Sequence, residues 1–170
     1  MIAARMAGES LQVERVGVDA DVTLRNLYEH YVHDMSEWFG LDVRADGSFG
    51  YDTGPLWRGG NAVFLARLGD RLAGFGVVGS AEKWLGDATI RDVKDLFVLR
   101  RYRRQGVGDA LAFHLWDAFA GPWLVRVVAA NLPALSFWRG AVERYTGGRY
   151  DEQPARDGDR DWVWLRFDSP

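Results

Sequence analysis

The sequence predicts a single mixed α/β domain over residues 1–170, on three observations. Short apolar segments, alternating or continuous and bounded by Gly, Asp and Pro, have the pattern of strands. Other segments space their apolar residues three and four apart, the pattern of helices. In the second half the two kinds alternate as strand, helix, strand, helix, which points to at least one parallel pairing.

In chain order, residues 11–18 (LQVERVGV) read as a first strand. Residues 21–39 carry apolar groups at Leu24, Leu27, Tyr28, Tyr31, Met35 and Trp38, a helical stripe, with Gly40 as its stop. Residues 41–60 are rich in Gly and Asp and read as a long loop carrying Phe49, Tyr51 and Trp57. Residues 62–68 and 72–78 flank Gly69-Asp70 and form a hairpin, because Gly supplies the positive φ of a tight turn. A further strand covers 90–99, and a helix covers 106–119 with Val107, Leu111, Leu115 and Ala118 on one stripe. The run 123–130 (WLVRVVAA) reads as a buried strand. Asn131-Leu132-Pro133 opens a helix, since Asn caps well and Pro is tolerated in the first turn. That helix ends before Gly147-Gly148, and residues 161–167 alternate as a last strand after a turn at Asp157-Gly158.

Composition excludes several functions. No apolar run reaches the roughly 18 residues of a membrane helix, and residues 1–10 hold no apolar signal core. With no Cys, disulfides, thiolate metal sites and a Cys nucleophile are ruled out, and a cytoplasmic location is expected. A formal charge of −3 does not suit a protein that coats nucleic acid. No metal-ligand spacing is present.

The informative segment is 96–111, LFVLRRYRRQGVGDAL. A strand ends, Arg100, Arg101, Arg103 and Arg104 follow, and Gln105-Gly106-Val107-Gly108 opens a helix. The N–H groups and dipole of a helix N-terminus attract anions. Glycines let backbone approach a diphosphate closely, and arginines add bidentate contacts. A solvated arginine loop has the same composition. The segment lacks the third glycine of a dinucleotide-binding G-x-G-x-x-G, where Leu111 stands, and it lacks the G-K-[ST] of a P-loop.

Arg103-Arg104-Gln105-Gly106-Val107-Gly108 resembles motif A of the GNAT N-acetyltransferases, Q/R-x-x-G-x-G/A after a strand. Downstream, Asn131, Ala134 and Phe137-Trp138 resemble that family's N-x-x-A-x-x-hydrophobic-Tyr segment. The resemblance implies a mixed, mostly antiparallel central sheet with a splayed parallel strand pair and flanking helices. It also implies acetyl-CoA as co-substrate, with no metal. Leu96, Phe97 and Val98 would pair with the pantetheine arm. Arg103, Arg104, Gln105, Gly106, Val107, Gly108 and Asp109 would hold the pyrophosphate, and Asn131 would contact the cofactor or simply cap its helix. A strand N–H near Phe97 or Val98 would polarise the thioester carbonyl.

By the same resemblance Asp92, six residues before Val98, falls where some relatives place a glutamate base, and Asp95 lies nearer the splay. Trp138 fills the position where many members place a tyrosine acid. An indole N–H donates a hydrogen bond but no proton at useful pH, and core packing is the alternative role for Trp138. Tyr145, a water, or departure of an unprotonated thiolate would substitute. His30 and His33, near Asp34 and Glu37, read as members of a polar helix face, and His114 as structural. Tyr28, Tyr31, Trp38, Phe49, Tyr51 and Trp57 would line an acceptor site or pack the core. The expected activity is acetyl transfer from acetyl-CoA to a primary amine by direct attack. The acceptor would be a small molecule or a peptide, with no nucleic acid or membrane partner, and the protein a monomer or homodimer. A non-catalytic acyl-CoA-binding or sensor domain is the alternative.

Overall fold

Arg5, Met6 and residues 9–170 are described in the computed structural model of the chain, with side chains from Ser10 onward. The elements are β1 (Arg5–Met6), β2 (Glu9–Val16), a 3-10 turn at Val18–Ala20, α1 (Asp21–Phe39), α2 (Gly54–Trp57), β3 (Ala62–Leu68), β4 (Arg71–Ser80), α3 (Glu82–Leu85), β5 (Arg91–Val98), a 3-10 turn at Arg100–Tyr102, α4 (Val107–Asp117), β6 (Gly121–Val128), α5 (Leu132–Thr146), β7 (Asp151–Asp157) and β8 (Arg160–Ser169). They form two compact units. The first holds the chain up to Val77 and Asp95–Ala110; the second holds Val78–Lys94 and Leu111–Pro170.

In the first unit the strands follow in the order β1-β2-β3-β4-β5. β2 and β3 are antiparallel, from Leu11↔Leu68 to Val16↔Val63. Gly69, at φ 56, makes the predicted turn into β4. Along α1 the steps of three and four bury Leu24, Leu27, Tyr28 and Val32. They pack with Val63, Leu65, Phe75, Val77 and Phe97, and each such side chain contributes about 1.5–3 kcal/mol. Gly40 ends α1 at φ 61, its N–H donating to Ser36 O. Gly74 of β4 lies so close to β5 that a Cβ there would sit 2.0 Å from Phe97 O.

In the second unit β5 runs parallel to β6, which pairs with β8, which pairs with the edge strand β7. The β6–β8 and β7–β8 pairs are antiparallel. The core includes Leu115, Trp116, Trp123, Leu124 and Leu165. Asn131 caps α5, its Oδ1 accepting from Ala134 N at 3.1 Å, and Gly147 closes the helix at φ 63.

The fold class is the predicted one: a mixed sheet with one parallel pair and flanking helices. Four strands or α-helices were not predicted, the two-residue β1 among them. β7 (DEQPARD) is almost wholly exposed, so it carries no apolar alternation and is defined only by its pairing to β8. α2 and α3 are single turns of four residues, too short for a periodic signal. His114 and Ala118 were expected among the apolar positions of a longer helix. α4 ends at Asp117, and both residues are exposed. Among the described residues no helix is long and apolar enough to cross a membrane, and no three His, Asp or Glu side chains converge as a metal site needs.

Candidate active site

The turn between β5 and α4 has an unusual backbone. Tyr102 and Val107 are buried and anchor its two ends, while the residues from Arg103 to Gly106 are exposed. Arg104 has φ 58 and Gly106 has φ 79. The left-handed region costs an L residue about 1–2 kcal/mol, and such strain collects at ligand clamps. Alternation of φ sign along a chain turns successive N–H groups towards one concavity, a form suited to anions. The turn is closed by Gln105 Nε2, which donates to Arg101 O at 2.6 Å. Gly108 and Asp109 lie half-buried in the first turn of α4, where helix N–H groups have no intrahelical acceptor.

Arg103 behaves differently from the residues that follow it. Its N–H donates to Arg100 O at 3.2 Å, its Nε to Val98 O at 2.7 Å, and its Nη2 to the carboxylate of Asp34 on α1. Arg103 is exposed too, but these bonds tie it to the protein. Burial alone would raise the Asp34 carboxyl, but the Arg103 hydrogen bond and the charges of Arg103 and Arg100 outweigh it and hold it below its ordinary value.

β5 brings Leu96, Phe97 and Val98 to this turn. Its register with β6 consists of Arg91↔Trp123, Asp92↔Leu124 and Val93↔Val125 and ends there, while β5 continues to Val98.

The two candidate carboxylates have opposite environments. Asp92 is fully buried in the second unit, with both oxygens on Arg126 at 3.1 and 2.7 Å. The guanidinium also lies 4.1 Å from the centre of the Trp84 ring. Asp92 is thus closed off from solvent and held in an internal ion pair, unlike an open site carboxylate. Asp95, in the first unit, is half-buried and accepts from Tyr28 OH at 2.7 Å. Tyr28 stacks on Tyr51 at 4.3 Å and meets Tyr31 edge-on at 5.7 Å. Burial, and then the Asp95 charge, raise the Tyr28 hydroxyl and push that of Tyr51 up to about 12.

Two further carboxylates, absent from the sequence-based set, shape the aromatic loop. Glu29 accepts from Phe49 N at 2.7 Å and Gly50 N at 2.8 Å. Asp21 accepts from Thr53 Oγ1 at 2.5 Å and Trp57 Nε1 at 2.6 Å, and these bonds lower its pKa. Both tie the segment after α1 back onto α1. No spacing in the sequence signals them, because each pairs across 20 residues or more. His30 and His33 are exposed, as expected of a polar helix face.

Trp138 packs in the core of the second unit, 6.2 Å from Trp116 and 5.0 Å from Phe137 between ring centres. Tyr145 OH donates to Asp117 Oδ1 at 2.8 Å. Burial and then Asp117 raise its pKa.

A family model described as the acetyltransferase (GNAT) family matches residues 24–141, and the chain belongs to that family. Similar solved structures include an acetyltransferase from Thermus thermophilus, at 15% identity over 98% of this chain and 99% of that one, with TM-score 0.67. The ribosomal-protein-S18-alanine N-acetyltransferase from Escherichia coli is 16% identical over 94% of each chain, with TM-score 0.61. The protein yncA from Salmonella typhimurium, solved with its cofactor acetyl-CoA, is 11% identical over 94% of each chain, with TM-score 0.58. At these identities the likeness is one of fold. No curated protein sequence matches the chain.

Proposed function

We propose that this protein transfers an acetyl group from acetyl-CoA to a primary amine by direct attack. The observation that carries the reading is the exposed turn with positive φ at Arg104 and Gly106 ahead of α4. Its donors fit a diphosphate: backbone N–H groups, a helix N-terminus and the Arg104 side chain. The acetyl-CoA-bound likeness of the Salmonella protein points the same way. When bound, acetyl-CoA supplies an already activated acyl thioester.

The chain's own groups do the rest. The residues from Arg104 to Asp109 bind the pyrophosphate. Leu96, Phe97 and Val98 offer backbone groups to the pantetheine arm, and an N–H at Phe97 or Val98 polarises the thioester carbonyl. Asn131 is also proposed to contact the cofactor. Asp95, oriented by the Tyr28 hydroxyl, accepts the amine proton. Tyr31 and Tyr51, with the buried Tyr28 packed behind them, give the acceptor an aromatic surround, which favours an apolar or cationic amine. Neither Trp138 nor Tyr145 supplies a proton, because an indole has no useful acidity and the Tyr145 hydroxyl is engaged by Asp117. A thiol of pKa about 8.5 leaves without one at little cost. A cytoplasmic location fits a Cys-free chain.

A panel of small amines, antibiotics, lysine peptides and peptide N-termini, read by release of free CoA thiol, tests this. At least one class is expected to exceed hydrolytic background. With that acceptor, Tyr145→Phe is expected to change kcat less than about tenfold, below the range of about 10²–10⁴ for loss of a general acid. No release with any amine, while acetyl-CoA still binds, would overturn amine acetylation. A hundredfold loss in Tyr145→Phe would make Tyr145 the acid.

A further inference from the structure

Asp34 sits on α1, far in sequence from the turn, yet it holds the turn's first residue. The Arg103 guanidinium joins three elements: its Nε donates to Val98 O at the end of β5, its Nη2 to Asp34 on α1, and its own backbone begins the turn. It also lies 5.6 Å from the centre of the Phe97 ring. Arg100 Nη2 reaches the same carboxylate from the preceding 3-10 turn, at 3.5 Å from Oδ1. A guanidinium is planar with donors in a fixed fork, so bonds to two elements fix its plane, while Arg103 N–H donating to Arg100 O at 3.2 Å holds the backbone at the start of the turn. The next residue is Arg104, whose left-handed backbone an L residue keeps only where its surroundings hold it.

We propose that Asp34 is a positioning residue for the acetyl-CoA turn, acting through Arg103 to hold the backbone from Arg104 to Gly106 in the shape that receives the diphosphate. The inference rests on the reading of this turn as the acetyl-CoA site. A partly exposed ion pair contributes little to folding, so its removal is expected to leave the fold intact and act on the turn. With Asp34 held below its ordinary pKa by Arg103 and Arg100 against the effect of burial, the carboxylate is charged at neutral pH.

Calorimetric titration of acetyl-CoA into wild type, Asp34→Asn, Asp34→Glu, Arg103→Gln and the Asp34→Asn/Arg103→Gln pair tests it, with folding checked by circular dichroism. Asp34→Asn is expected to weaken binding about tenfold, equal to about 1.4 kcal/mol. With an acceptor in hand, its KM for acetyl-CoA should rise while kcat stays within about threefold. Asp34→Glu should recover part of the affinity. The double variant should bind no more weakly than Arg103→Gln alone, because the carboxylate acts through that arginine. Unchanged affinity in folded Asp34→Asn, or losses that multiply in the double variant, would overturn the inference while leaving the turn as the acetyl-CoA site. A wild type that binds no acetyl-CoA would overturn both.

Discussion

Gly106→Asp is expected to weaken acetyl-CoA binding at least a hundredfold, about 2.7 kcal/mol, while the circular dichroism spectrum stays that of the wild type. Gly106 has φ 79 and is exposed at the start of α4. Aspartate adopts this backbone region occasionally, at a cost of about 1–2 kcal/mol, so the substitution adds some local strain in an exposed turn. It places a carboxylate where the diphosphate is proposed to lie, and like charges at close range repel. Calorimetric titration of the folded variant checks it. Affinity equal to wild type would move the diphosphate to another part of the molecule.

The second large effect is on stability. Arg126→Leu removes the partner of Asp92, which is 0% exposed and has both oxygens on that guanidinium. A buried charge stripped of its partner costs about 3–5 kcal/mol. For a chain of this size that lowers Tm by about 6–20 °C, at 2–4 °C per kcal/mol. Adding Asp92→Asn to Arg126→Leu removes the stranded charge and should recover part of the loss. Thermal melts of the single and double variants check both statements. A single variant melting within about 2 °C of wild type would show that the pair is not the structural bond described.

The same pair marks a limit on what the sequence reveals. Asp92 stands out in the sequence for its distance from Val98, a one-dimensional measure. Its role follows from the parallel register Asp92↔Leu124, which brings Arg126 within reach from 34 residues away. No local pattern encodes that register. What was legible was local. The steps of three and four gave α1 its observed bounds, Gly40 its stop and Asn131 its cap. The arginine and glycine cluster marked the turn before α4, because φ preferences and helix N-termini are properties of a few adjacent residues. The partners of that turn were not legible. Asp34 meets Arg103 across 69 residues, and Glu29 meets the Phe49 and Gly50 amides across 20 and 21. β7 was missed because a charged, exposed edge strand carries no apolar rhythm.

The central claim is that the turn running from Arg104 to Asp109 receives acetyl-CoA. Titrating wild-type protein with acetyl-CoA, by calorimetry and by thermal shift, tests it most directly. The account predicts micromolar affinity and a rise in Tm, since a ligand at a hundred times its Kd stabilises the native state by about 2.7 kcal/mol. Absence of both heat and thermal shift at millimolar acetyl-CoA would contradict it.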